Sequence, residues 1–269
     1  MTERPIVLFA AMPQEIEAYK QAFEGPTTEE HTGLLEITRG TIKEQPVILA
    51  QTGICKTNAA SATQHLIDLY NPEAIIMSGT AGGLQERLDH GDVLVIDKAA
   101  NHDITVPIPV YQEKRGEVPD FRAPGDERPR ELWYASDRKL KSLAEVAGEA
   151  IPTEYVVHLG SIITGEFFAT DDDKRELLEV EHFKDVDAID MEYAAVAQTV
   201  HRNNLRRNAS DRIAVLGVKG IPDTIYSPAE ADFDKYLGIA SENSAKVALG
   251  VVDKIATEKQ VFRSRAARV

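Results

Sequence analysis

The sequence predicts a three-layer α/β/α sandwich, and two observations carry that prediction. Short runs rich in Val and Ile alternate with amphipathic segments of helical period, the rhythm of βα units. Those runs are apolar at successive positions rather than at every second one, so the sheet they build needs helices over both of its faces.

Taken in order, Pro5 to Met12 reads as a strand and leads into a helix over Pro13 to Phe23, with Pro at the first helical position, where a missing N–H costs nothing. Pro46 to Thr52 reads as a strand, Lys56 to Tyr70 as a helix and Ala74 to Ser78 as a strand. After the turn at Asp89 to Gly91, the run Gly91 to Asp97 is another strand. The stretch from Pro107 to Arg130 is rich in Pro, Arg, Glu and Gly and lacks periodicity, which suits a long excursion acting as a lid or partner contact.

Beyond it, the pattern predicts a helix from about Asp137 to Gly148, a strand at Gly160 to Thr164 and a helix from Asp172 to Glu181. A helix then opens at Met191-Glu192 and runs to about Asn204, followed by a strand at Ile213 to Lys219 and a last helix from about Glu230 to Ile255. From about residue 258 the chain reads as a frayed tail, since Gln260 to Val269 carry three arginines and no acids.

With 269 residues, 43% of them hydrophobic, the chain can bury a full core, and one domain over residues 1–269 is the expected organisation. No run approaches the about 20 apolar residues of a membrane span, and Met-Thr-Glu-Arg-Pro at the start has no basic leader pattern. Nucleic acid is a poor partner for a chain with 30 basic and 44 acidic residues, a net charge of −14. Cys55 is the only cysteine and is expected as a small buried residue; with no disulfide to form, a cytoplasmic protein fits. Seven histidines show no H-E-x-x-H spacing, so no metal site is expected.

Four segments fall at the ends of predicted strands, where ligands collect in open α/β sheets. Ala10-Ala11-Met12-Pro13-Gln14-Glu15 places Glu15 in a first helical turn, although such an acid often only compensates the helix dipole. Ser78-Gly79-Thr80-Ala81-Gly82-Gly83-Leu84 lets backbone approach a flat or anionic ligand, and a tight turn would use the same residues. Thr164-Gly165-Glu166-Phe167-Phe168 offers an aromatic for stacking or for the core, and Lys219-Gly220-Ile221-Pro222-Asp223 ends in an acid that a simple turn would also accept. The most informative stretch is Ala188 to Gln198, where Asp190-Met191-Glu192 opens a run of small residues. A carboxylate at that helix entrance is favoured in its ionised form and suits paired hydroxyls, while an ordinary amphipathic helix with acids in its first turn would look alike.

In this order the segments resemble the nucleoside phosphorylase and nucleosidase superfamily, most closely the 5′-methylthioadenosine/S-adenosylhomocysteine nucleosidases. The likeness runs from about Ile6 to Ile255 through A-M-x-x-E ending at Glu15, T-G-I-x-K at Thr52 to Lys56, S-G-T-A-G-G-L at Ser78 to Leu84 and G-D-V at Gly91 to Val93. It continues through H-D at His102 and Asp103, G-E-F-F at Gly165 to Phe168, D-M-E at Asp190 to Glu192 and the acid at Asp223. The resemblance implies a nucleoside phosphorylase-like sandwich with a mixed central sheet, a homodimer, a small-molecule nucleoside substrate and no cofactor. It implies Asp223 as the general acid at purine N7 and Glu15 as the base for the attacking water. Glu192 would hold the ribose hydroxyls, Met191 would pack on the sugar and Phe168 would stack on the base. Thr80, Ala81 and Gly82 would form the floor, with Ile54 and Phe167 completing the substrate-binding set. The chain departs from the family pattern at Lys219 and Pro222, where Arg and Ser commonly precede the acid, at Cys55 in place of a glycine, and at Ala99 and Asn101 in place of aromatics. A nucleosidase for another 5′-modified nucleoside such as aminofutalosine, a phosphorylase, and a nucleoside-binding protein without activity stay open as alternatives.

Overall fold

The computed structural model describes residues 3–32, 35–103, 132–152, 154–226 and 229–266. The excursion predicted at Pro107 to Arg130 lies outside them. The chain starts with β1 (Ile6–Ala10), α1 (Pro13–Lys20), β2 (Glu24–Thr32), β3 (Leu35–Ile42), β4 (Gln45–Gln51) and α2 (Lys56–Tyr70). It continues with β5 (Ala74–Thr80), β6 (Gly82–Gly83), β7 (Val93–Asn101), β8 (Tyr134–Ala135) and α3 (Arg138–Ala147). The remainder is β9 (Val157–Thr164), α4 (Asp171–Leu178), β10 (Ala188–Asp190), α5 (Tyr193–Asn204), β11 (Ala214–Gly220) and α6 (Ala229–Ala266).

The strands form one mixed sheet in the order β2-β3-β4-β1-β5-β11-β7-β9-β10-β6, with β8 paired to β7. Its middle is parallel: β1 pairs with β4 and β5, and β11 joins β5 in the same direction. β7 runs antiparallel to β11 and parallel to β9, which reverses direction beside the strand that leads to Asp223.

Successive residues of each central strand enter different cores, as a pleat with period two requires. Val7 and Phe9 join Ile75, Met77 and Val215 under Ala59, Ala62 and Leu66 of α2 and the alanines of α5. Ile6 and Leu8 join Ile76, Leu216 and Val218 beneath Tyr19 of α1, Leu140 of α3 and the Ala248 to Val252 turn of α6. Helices therefore cover both faces, the predicted sandwich. A third cluster holds α4 through Leu177 against Ile163, Ile189 and Phe183.

Several elements differ from the sequence expectation, among them the unpredicted two-residue strands β6 and β8. The β2–β3 hairpin went unread because β2 is exposed or nearly so along its length and carries no apolar alternation; its register comes from β3, which pairs onward with β4. Ala188–Asp190, directly ahead of the helix expected to open at Met191-Glu192, is a short strand parallel to β9 that the sequence pattern does not predict. The last helix continues to Ala266, into the segment whose composition suggests a tail. Ion pairs anchor these turns, from Lys259 to Glu3 at 3.0 Å and from Arg263 to the same Glu3 at 2.5 Å.

Gly220 closes β11 against α6, and a Cβ there would lie 2.0 Å from the Ala240 carbonyl oxygen, a backbone atom that cannot swing aside. Gly220→Ala should therefore lower stability by about 1–3 kcal/mol or more, read as a reduced urea midpoint at unchanged slope.

Candidate functional site

Strand ends bring the predicted residues together. Glu15, Ile54, Thr80, Ala81, Gly82, Phe167, Phe168, Met191, Glu192 and Asp223 all line one cavity enclosing about 610 Å³ of space, part of it open to solvent. Ala11, Met12, Ala169, Lys174, Ile189, Asp190 and Phe233 complete its wall.

Glu15 sits in the first turn of α1, where Pro13 starts the helix and the carboxylate folds back over the cap. Its Oε2 accepts from the N–H of Ala11 and of Met12, each at 3.0 Å. Its Oε1 accepts from Thr80 N–H at 2.9 Å and Thr80 Oγ1 at 3.2 Å. Burial pushes the carboxyl above the usual carboxylate value, against the downward pull of Lys219 and those N–H groups.

Lys219 is buried at the end of β11 with its Nζ 3.0 Å from Asp190 Oδ2 and 3.7 Å from Glu192 Oε2. Burial alone would lower its pKa, but Asp190, Glu192 and Glu15 outweigh that and hold it above the ordinary lysine value. Asp190 also accepts from Thr164 Oγ1 at 2.5 Å and from Tyr193 N–H at 3.0 Å, while Ala194 N–H donates to Thr164 Oγ1 at 3.0 Å. The free N–H groups at the entrance of α5 thus go to Asp190 and Thr164. Glu192, expected to be held ionised by that helix end, makes no cap bond; its Oε1 accepts instead from Cys55 N–H at 3.1 Å. Burial raises its pKa to about 7 despite Lys219.

Cys55 pays for that contact with backbone strain. It is half-buried rather than buried, with φ of 87°, a region that favours glycine.

Asp223 follows β11 and is fixed through its backbone, since its carbonyl accepts from Gly83 N–H at 2.8 Å and Ile225 N–H donates to Gly83 O at 3.0 Å. Its Oδ2 accepts from Lys174 Nζ, and both side chains are almost wholly buried. Burial pushes the Asp223 carboxyl up while the lysine pulls it down, and the balance stays above the ordinary aspartate value.

The glycine-rich run serves the protein's own carboxyls. A Cβ on Gly79, whose φ is +142°, would lie 2.6 Å from Glu15 Oε1, and one on Gly82 would lie 3.1 Å from both Asp223 Oδ2 and Lys174 Nζ. Phe168, with Phe233 edge-on at 5.6 Å, lies on the wall, and Phe167 packs against His102 at 5.5 Å. His102 and Asp103 support this segment from behind: His102 N–H donates to Thr164 O at 3.0 Å and Asp103 Oδ2 accepts from Glu166 N–H at 2.9 Å.

Sequence reasoning missed Lys174 and gave no role to Asp190 or Lys219. The available signal for Lys174 is its spacing to Leu177 and Leu178, which puts a lysine on the inward stripe of α4. Among the described residues no cluster of His, Cys, Asp and Glu suited to a metal ion occurs.

A mixed sheet covered on both faces, with acids gathered around a cavity at its strand ends, defines an α/β protein of the nucleoside phosphorylase type. The chain belongs to the phosphorylase superfamily, whose family model matches residues 5–253. It is 30% identical to the 5′-methylthioadenosine/S-adenosylhomocysteine nucleosidase of Bacillus subtilis over 250 residues, 93% of this chain and 99% of that one. The crystal structure of the Neisseria meningitidis 5′-methylthioadenosine/S-adenosylhomocysteine nucleosidase with methylthio-immucillin-A superposes with a TM-score of 0.78 at 28% identity, covering 94% of this chain and 100% of that chain. The futalosine hydrolase of Helicobacter pylori shares the fold, with a TM-score of 0.78 at 22% identity over 93% of this chain and 98% of that one.

Removing the cation while leaving its acids should be severe. Lys219→Met is expected to cost roughly 3–5 kcal/mol in urea unfolding, because Asp190, Glu192 and Glu15 lose their shared counter-charge in a buried site.

Proposed function

We propose that this chain is a purine nucleosidase that hydrolyses the N-ribosidic bond of 5′-methylthioadenosine or S-adenosylhomocysteine, releasing adenine and the thioribose without a cofactor. The observation that carries this reading is a pair of buried carboxyl groups, Glu15 and Asp223, on one cavity but in separate hydrogen-bond networks. Cleavage of an N-riboside needs such a division of labour, a proton delivered to the departing base and a water activated at the anomeric carbon.

Asp223 is the general acid at N7, and Glu15 orders and deprotonates the water. Burial raises the affinity of Glu15 for a proton, as a base requires. Glu192 accepts from the ribose hydroxyls, Met191 packs on the sugar, Phe168 stacks on the purine, and Thr80, Ala81 and Gly82 lie beneath, with Ile54 and Phe167 at the rim. Hydrolysis is favoured over phosphorolysis because no arginine is among the described residues lining the cavity, and a phosphate dianion would meet the carboxylate of Glu15.

The enzyme works as a cytoplasmic homodimer in this reading. Support comes from the apolar side chains left exposed at the cavity, Ile54, Phe167 and Phe168 at 45%, 43% and 46%. Sedimentation at micromolar concentration should give twice the monomer mass. Among the described residues no helix is long and apolar enough to cross a membrane.

The test is chromatographic release of adenine from 5′-methylthioadenosine with and without phosphate. Adenine and free methylthioribose in both conditions are expected. A sugar phosphate formed only with phosphate would make the protein a phosphorylase, and no adenine would point to another 5′-modified nucleoside such as aminofutalosine or to a binding protein. Asp223→Asn should keep nucleoside binding and lose about 10²–10⁴ in turnover, whereas Glu192→Gln should chiefly weaken binding that depends on the ribose hydroxyls.

A further inference from the structure

The reaction as proposed makes no use of Lys174, yet this side chain is 1% exposed, lines the cavity and places its ammonium on Asp223. A lysine buried to that degree needs a partner, and the carboxylate of Asp223 is an ion-pair partner within reach. The residue directly before the acid is Pro222, whose side chain has no hydroxyl or N–H to hold a carboxyl group. The α4 helix takes over that duty: Lys174 grips the carboxyl, and Arg175 Nη2, one residue on, donates to Ile225 O at 3.3 Å.

We infer that Lys174 is the positioning residue of the general acid, holding the Asp223 carboxyl at the purine edge and setting the pH at which that acid loses its proton. The inference rests on the nucleosidase reading. In the step concerned, Asp223 gives its proton to N7 as the C1′–N9 bond breaks and its electron pair passes into the purine. Water forms the new C1′–O bond and gives a proton to Glu15. Asp223 is then a carboxylate, and Lys174 stabilises the charge that develops there in the transition state. Burial alone makes Asp223 a reluctant acid, and the adjacent ammonium restores part of its strength.

Other groups facing Asp223 are Asp171 on α4, which opposes ionisation, and His90 in the turn before β7, which favours it. His90 is itself 3.1 Å from Asp232 of α6. Lys174 alone among them bonds the carboxyl in this structure.

The experiment is kcat/KM for adenine release from 5′-methylthioadenosine across about pH 5 to 10, for the wild type and for Lys174→Met, Lys174→Gln and Lys174→Arg. The wild type should lose activity on the alkaline side as Asp223 deprotonates. Removing the positive charge raises the Asp223 pKa, so in Lys174→Met and Lys174→Gln that limb should move up by about one to three pH units. The plateau should fall by about tenfold or more, mostly in kcat. Lys174→Arg should keep the limb near its wild-type position. An unmoved limb in the uncharged variants, with activity lost equally at every pH, would overturn the assignment and leave Lys174 a packing residue. Should Lys174→Met fail to fold, as judged by circular dichroism, the Gln and Arg variants decide by the same criterion. No adenine from the wild type overturns the nucleosidase reading and this inference with it, whereas adenine with an unmoved limb overturns the inference alone.

Discussion

At the end of β11 the ammonium of Lys219 lies out of water with Asp190 at 3.0 Å and Glu192 at 3.7 Å, and Glu15 adds its field from α1. Removing any of these charges from water costs several kcal/mol, so the cluster exists only while its members stay together. That condition ties four parts of the chain into one geometry: the end of β11, the end of β10, the entrance of α5 and the first turn of α1. The contacts around it follow from that geometry. Asp190 can face the lysine and still serve α5 because Thr164 supplies a hydroxyl to both, and Glu192 is left to reach across to the Cys55 N–H.

Asp223 belongs to a separate charge pair, and the distinction matters chemically. Two acids in one network would share protons, and a change at one would alter the other's readiness. Here Glu15 answers to Lys219 and Thr80, Asp223 to Lys174, and the glycine-rich run passes close to both. Gly79 leaves room for Glu15 and Gly82 for the Lys174–Asp223 pair, so the loop holds carboxyls where a phosphate-binding loop would hold an anion from outside.

Much of this was legible in the sequence for physical reasons. Buried parallel strands must be apolar on both faces, which made β1, β4, β5 and β11 conspicuous, and their ends pointed to Glu15, Thr80 and Asp223. What escaped depended on partners remote in the chain. β2 has no apolar pattern and exists because β3 offers it a ladder. Lys174 sits in an acidic run that reads as a solvated helix start, and only the fold reveals that Asp223, 49 residues away, faces it. The ionisation of Glu192 went the other way from the helix-dipole expectation, because burial raises its pKa while the N–H groups of Tyr193 and Ala194 go to Asp190 and Thr164 rather than to Glu192. Even the turns of α6 near its end were hidden, since nothing local shows that Glu3 waits beside Arg263.

The strained backbone at Cys55 carries a consequence for how this protein changes over time. The φ of 87° accompanies the hydrogen bond from its N–H to Glu192, which in turn lies 3.7 Å from Lys219. Substitutions at these positions therefore cannot be judged singly. A lysine-to-arginine exchange at 219 would push the larger, forked cation against Asp190 and Glu192, and its acceptability would depend on whether residue 55 has the freedom of glycine to let Glu192 retreat. Sites 55, 192 and 219 touch one another in a chain, so a change at one alters the surroundings that the other two meet.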